Sequence, residues 1–169
     1  NLGSGNIESQ ILSESFTKML RKIENNENIK SVVLRIDSPG GSGIASEVVY
    51  NALKKLRTEK PLIVSVADVA ASGGYYLAMA GDSIFAEPGS IVGSIGVYAG
   101  KFPMGGLYKK LGINKETLTR GKNATFFDEE KPFSPSERQV MTEHLEEFYQ
   151  KFVEKVATER NKSWEEIHA

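Results

Sequence analysis

The sequence predicts an α/β fold: a mostly parallel sheet, layered, with flanking helices. Three observations carry this. Apolar periodicity alternates helix, strand, helix, strand, helix along the chain. The clearest strand run, Val32-Val33-Leu34-Arg35-Ile36, is of the β-branched, buried type. A chain of 169 residues with 40% hydrophobic residues is long enough for one compact domain with a sizeable core.

The elements follow in order. Residues 9–24 place Leu12, Phe16, Met19, Leu20 and Ile23 on one face at helical spacing, and Asn25, Asn26 and Asn28 end that helix. After the strand at 32–36 comes the loop Asp37-Ser38-Pro39-Gly40-Gly41-Ser42-Gly43. A second helix then puts Val48, Val49, Ala52, Leu53 and Leu56 on one face. Residues 61–66 form the next strand, 72–80 a helix of small residues, 84–86 a short strand and 91–98 a Gly-rich extended segment. A short helix ends over 107–111, and 116–119 reads as one more strand. The longest helix opens with Ser134 as N-cap, Pro135 at its first position and Glu137 three residues after the cap. Its apolar stripe is Val140, Met141, Leu145, Phe148, Phe152 and Val156. A last helix begins at Ser163, with Glu166 completing a capping box. That late start, with the opening Asn1-Leu2-Gly3-Ser4-Gly5, reads as a piece of a longer protein.

Composition excludes several function classes. There are 21 Lys+Arg against 22 Asp+Glu, so the formal net charge of −1 gives no electrostatic footprint for nucleic acid. With no Cys there is no disulfide framework, thiolate metal site or cysteine nucleophile. Two His argue against a multi-histidine metal centre. No run approaches the roughly 18 apolar residues of a membrane span.

Sites in parallel sheets form at the carboxyl ends of strands. Two segments lie there. The loop 37–43 frees backbone N–H groups at a helix N-terminus, which suits a phosphate, an oxyanion or a plain strand-to-helix turn. It is neither a dinucleotide fingerprint nor a P-loop, since no Lys follows its glycines. The segment Val69-Ala70-Ala71-Ser72-Gly73-Gly74-Tyr75-Tyr76 sets Ser72 at the opening of a helix, where it is either a nucleophile beside the Gly73 N–H or merely an N-cap. A third segment, Pro88-Gly89-Ser90-Ile91-Val92-Gly93-Ser94-Ile95-Gly96-Val97, offers a strand edge to which an extended peptide could pair. A serine nucleophile needs a base. His144 lies among Glu143, Glu146 and Glu147, as a surface helix residue would. Lys101 and Lys122, in Gly-flanked loops, are the alternatives to ordinary surface lysines.

In this order the three segments resemble the signal peptide peptidase A (protease IV) family of serine proteases, which shares the Clp protease/crotonase fold. The resemblance runs from Asp37-Ser38-Pro39-Gly40-Gly41 through Ala71-Ser72-Gly73-Gly74-Tyr75-Tyr76 and Gly93-Ser94-Ile95-Gly96-Val97 to Leu111-Gly112-Ile113. It implies a Ser–Lys dyad with Ser72 as nucleophile and Ser94 as the serine that helps hold the lysine. The N–H groups of Gly41 and Gly73 would form the oxyanion hole, and Asp37 and Ser38 would shape the turn that carries Gly41. The resemblance also implies that no metal or organic cofactor is needed.

The lysine departs from the pattern of short members. Their Lys corresponds to Ala124, in Arg120-Gly121-Lys122-Asn123-Ala124. Long members have two tandem halves, Ser on the carboxyl half and Lys on the amino half. The resemblance therefore implies that residues 1–169 are one Clp/crotonase-like domain, the Ser-bearing half of such a protein, nearly inactive alone. Lys122 reaching Ser72 within the same chain is the competing expectation. Cleaved signal peptides and other membrane-derived peptides would be substrates, with Ile44, Val69 and Ile91 as groove residues or as core. A homo-oligomer, an amino-terminal membrane anchor outside this fragment, and a site on the extracytoplasmic (periplasmic) side of a bacterial cell membrane are implied likewise. A non-catalytic interaction or acyl-CoA-binding domain of the same fold is the alternative.

Overall fold

The computed structural model describes residues 13–168. Leu12 on the first helical face and the opening Asn1–Gly5 lie outside the described residues. The chain divides into two compact units, Asn1–Gly96 with Lys151–Ala169, and Val97–Gln150.

The first unit is a parallel sheet with helices against it. Strand β1 (Val32–Ser38) pairs with β2 (Leu62–Ala71) from Val32 opposite Leu62 to Ile36 opposite Val66. The ladder resumes with Ser38 opposite Ala70, so β2 accommodates extra residues at a bulge. Asp37 occupies this irregularity, and its Oδ1 accepts from the Val69 N–H at 3.3 Å. Strands β3 (Ser83–Phe85) and β4 (Ile91–Gly93) both pair in parallel with β2, β3 opposite 63–65 and β4 opposite 69–71. The strand expected over 61–66 therefore runs on to Ala71 and delivers Ser72 straight from its carboxyl end.

Helix α2 (Gly43–Glu59) buries Val49, Leu53 and Leu56, the spacing expected of its inner face, whereas Val48 is 46% exposed and turns outward. Helix α1 (Ser13–Glu24) packs on α2 through buried Leu20, while Met19, expected on the same face, is 45% exposed. Leu62, Val64 and Val66 on the inner face of β2, the helix α3 (Gly73–Ala78), and Phe152, Val153 and Val156 of α5 (Pro135–Arg160) supply the rest of the core. The predicted stripe of α5 is thus buried at Phe152 and Val156.

One carboxylate pins α5 to α2. Glu159, with its side chain 6% exposed, accepts from Lys54 at 2.6 Å, Tyr50 at 2.8 Å and Arg57 at 2.9 Å. Burial alone would push its carboxyl up. The hydrogen bonds from Lys54, Tyr50 and Arg57 outweigh that and hold it below the ordinary carboxylate range. A group depressed in the folded state stabilises above its unfolded value, and that contribution disappears as pH falls through the folded value. Lys54 and Arg57 keep partial access to water, so Glu159→Gln should cost about 2 kcal/mol at neutral pH, between the surface and buried limits. Denaturant midpoints should converge between wild type and variant as pH falls below about 4. An equal gap at pH 7 and well into acid would contradict this assignment.

The second unit holds α4 (Gly105–Lys110), a long connection and the opening of α5. The capping box forms as the sequence predicts. Glu137 N–H donates to Ser134 Oγ at 3.2 Å, and Ser134 N–H to Glu137 Oε2 at 2.8 Å. The buried Glu137 also accepts from Thr125 Oγ1 at 2.6 Å, and these bonds hold its carboxyl below the ordinary range. The strand expected over 116–119 is absent: these residues are exposed and no strand pairs with them. An apolar residue between polar ones there, Leu118 at 89% exposed, has no neighbouring strand to bury it. In α6 (Trp164–His168), the second predicted box closes with Ser163 N–H on Glu166 Oε2 at 2.8 Å.

Candidate active site

The corner between β2 and α3 has an unusual backbone. Ser72 sits at φ 51° and ψ −118°, a conformation that costs a non-glycine residue about 1–3 kcal/mol. An N-cap serine has an extended backbone and an oxygen that accepts from an N–H two or three residues on. Ser42 does this for α2, with φ −61°, ψ 122° and Oγ accepting from Ala45 N–H at 3.3 Å. Ser72 makes no such bond. Its backbone is pinned instead: its N–H donates to the Gly93 carbonyl at 2.8 Å, and its own carbonyl accepts from Tyr76 N–H at 2.8 Å. The hydroxyl makes no cap bond, and the N-cap explanation of Ser72 fails on geometry.

The glycine loop closes on the same corner. Gly40 has φ 111°, and a Cβ there would lie 2.9 Å from Ser72 Cβ and 2.9 Å from the Gly73 nitrogen. No side chain fits between the loop and the serine. A Cβ at Gly74 would run into the Ser38 carbonyl oxygen, so α3 also meets β1 at van der Waals distance. Ser38 is buried and its Oγ accepts from Gly40 N–H at 3.2 Å. With the bond from Asp37 to Val69, this gives both residues the turn-shaping part expected of them. Gly40 and Gly74 were not singled out from the sequence. The doubling of glycine in Gly40-Gly41 and Gly73-Gly74 was the available signal, one residue of each pair making room for a close approach.

The third segment meets the corner through the sheet. Gly93 is the ladder partner of Ala71, so Ser72 and Ser94 are the next residue on each strand. Both have positive φ, 51° and 50°. The extended run expected over 91–98 pairs only through Gly93, because φ 110° at Gly93 and the Ser94 conformation turn the chain out of the ladder. Val69 is half-buried and stands opposite Ile91 in the register. Ile91 is 62% exposed and Ile44, in the first turn of α2, is 81% exposed, so neither belongs to the core.

The candidate lysines lie in the second unit. Lys101 Nζ donates to the carbonyls of Thr125, Phe126 and Asp128 at 3.0–3.3 Å and lies 4.6 Å from the Phe133 ring centroid. It is a structural cation that closes a loop. Lys122 is exposed in the turn after Gly121. His144 is exposed on α5. Among the described residues no group of three His, Asp or Glu could hold a metal ion.

Comparison with known proteins gives the family and the fold. The model of peptidase family S49 matches residues 54–169, which include Ser72 and Ser94. The chain belongs to peptidase family S49. The Clp protease model matches residues 3–91, which include the glycine loop. Among similar proteins, a chloroplastic serine protease SPPA of Arabidopsis thaliana is 42% identical over 90% of this chain and 23% of its own length. A putative signal peptide peptidase SppA of Enterococcus faecium is 32% identical over 88% of this chain and 43% of its own. The chain thus spans 23% and 43% of the length of these two relatives. A ClpP1 mutant from Listeria monocytogenes superposes with a TM-score of 0.58 at 16% identity, covering 92% of this chain and 69% of its own, which places the S49 chain in the Clp-like α/β fold.

Proposed function

We propose that this chain is the serine-bearing part of an endopeptidase that works through a Ser–Lys dyad and an acyl-enzyme. The observation that carries the reading is Ser72: a half-buried residue with its hydroxyl bonded to no helix end, held at positive φ against the Gly40–Gly41 loop. A neutral lysine takes the Ser72 proton as Oγ attacks the scissile carbonyl. The N–H groups of Gly41 and Gly73 receive the oxyanion. Collapse breaks the C–N bond, and the lysine ammonium returns the proton to the leaving amine. Water then hydrolyses the ester by the same route. Ser94, beside the strand end, supplies a hydrogen bond to the lysine. An ordinary lysine titrates near 10.4, so this one must be desolvated to act as a base near neutral pH.

Cleaved signal peptides and other membrane-derived peptides are the substrates, in keeping with the name of the Enterococcus relative. Such peptides are apolar. Ile44 and Ile91 are exposed apolar side chains, and with Val69 they supply a lining for them. The peptide adds as a strand along 91–95. The working protein is a homo-oligomer, anchored in a bacterial membrane by a segment outside these residues, with the site on the extracytoplasmic side. Among the described residues no helix is long and apolar enough to cross a membrane.

The general base belongs to an amino-terminal half that resembles this one. Lys122→Ala in the full-length protein should therefore keep peptide hydrolysis within about twofold of wild type, the scale of a surface substitution. A loss of several orders of magnitude would make Lys122 the base and the dyad internal to this chain. An acyl-CoA-binding domain would need the oxyanion loop but no serine nucleophile, and the Ser72 hydroxyl, bonded to no helix end, favours the peptidase.

A further inference from the structure

Glu47 lies in the second turn of α2, on the helix that begins just after the Gly40–Gly41 loop. Its Oε2 accepts from the Tyr76 hydroxyl at 2.5 Å. Tyr76 sits on α3, and its N–H bonds the carbonyl of Ser72. One hydrogen bond therefore joins the helix behind the proposed oxyanion loop to the helix behind the proposed nucleophile. The tyrosine end of the bond is enclosed, while the Glu47 side chain is 38% exposed. Tyr76 is 2% exposed, its ring packing edge-on against Tyr50 at 5.5 Å and against Phe152 at 4.6 Å. The other carboxylate oxygen of Glu47 accepts from Lys155 Nζ at 3.1 Å and Asn51 Nδ2 at 3.0 Å.

The electrostatics favour a lasting acceptor. Burial pushes the Glu47 carboxyl up, but the bonds from Tyr76, Asn51 and Lys155 bring it below the ordinary range, so it stays ionised. Burial and the adjacent carboxylate push the Tyr76 phenol upward, so it stays a donor. α3 has only six residues and lacks a side-chain cap. Its position depends on contacts such as this one, and a serine at positive φ has a less strained conformation available whenever the helix shifts.

We propose that Glu47, acting through Tyr76, is a positioning residue for acyl transfer: it sets the spacing between the Ser72 hydroxyl and the Gly41 and Gly73 N–H groups. This rests on the serine-peptidase reading. Neither side chain touches the reacting atoms. What they fix is the distance between two backbone segments whose separation decides whether attack and oxyanion capture happen together.

The test is the rate at which a fluorophosphonate labels Ser72 in the full-length protein, with kcat and KM for a peptide substrate measured alongside. Tyr76→Phe keeps the ring that packs on Tyr50 and Phe152, so the fold survives and only the hydroxyl is lost. It should slow labelling and lower kcat about tenfold or more, with KM nearly unchanged. Glu47→Leu should do the same, and the double variant should be no slower than the worse single one. Glu47→Gln retains an acceptor oxygen and should recover most of the rate. Variants labelled as fast as a wild type that is itself labelled at Ser72 would overturn the positioning role alone. Losses confined to KM, or additive losses in the double variant, would overturn it too. A wild type that is not labelled at Ser72 would overturn the peptidase reading beneath it.

Discussion

Ser72→Ala should abolish peptide hydrolysis and fluorophosphonate labelling in the full-length protein, lowering kcat by about 10⁴-fold or more. The loss should come without a loss of fold. Ser72 makes no side-chain cap bond, so its hydroxyl contributes nothing to α3, and alanine adopts the same strained backbone at the same cost as serine. Denaturant midpoints of variant and wild type should agree within about 0.5 kcal/mol. That pairing of results separates a nucleophile from a helix cap, because replacing a cap serine by alanine costs about 1 kcal/mol and leaves chemistry to the rest of the site. Undiminished hydrolysis in Ser72→Ala would end the assignment of Ser72 as the nucleophile. A large drop in stability would mean that the hydroxyl has a structural partner and that lost activity reflects an altered fold.

Much of this site was legible because its parts obey local rules. β-branched runs gave the strands, capping boxes gave the starts of α5 and α6, and a small-residue segment after a strand marked the corner at Ser72. Other features were not local. The strand ending at Ala71 rather than Val66 depends on β4 and on the bulge at Asp37, pairings between residues far apart in sequence. Leu118 promised a strand, but a strand needs a neighbour, and none stands beside it. Met19 and Val48 fit an apolar face by period alone, yet how much of a helix face is covered depends on the partner's width. Lys101 and Lys122 looked alike in their glycine-flanked loops. Only the folded loop shows that three carbonyls and a ring engage Lys101 and leave Lys122 exposed. Period and composition carried no sign of the Glu47–Tyr76 bond, since a Glu on a helix and a Tyr in an apolar segment are each unremarkable until the helices meet.

The glycine loop bears the other large effect. Gly40→Ala should lower kcat by about 10²–10³-fold, the scale of a lost oxyanion donor, although Gly40 itself carries no assigned catalytic role. The backbone there has φ 111°, where an L side chain is strained by about 1–3 kcal/mol. The added methyl would also stand 2.9 Å from Ser72 Cβ, 2.9 Å from the Gly73 nitrogen and 3.1 Å from the Ala71 carbonyl oxygen. These are backbone and Cβ atoms, which cannot swing aside as the tip of a long side chain can. The loop must therefore back away from the corner by several tenths of an ångström, carrying the Gly41 N–H with it and opening the gap that the oxyanion should fill. Ground-state binding of a peptide along β4 is not touched, so KM should change little while kcat falls. Gly89→Ala is the matching control: a Cβ there meets nothing within 4 Å, and activity should hold at the wild-type level. Circular dichroism and the denaturant midpoint tell a displaced loop from an unfolded chain, since strain confined to one turn lowers stability but leaves the helices in place. A folded Gly40→Ala protein with undiminished kcat would show that this loop does not hold the oxyanion, and Gly73 would then need a different partner.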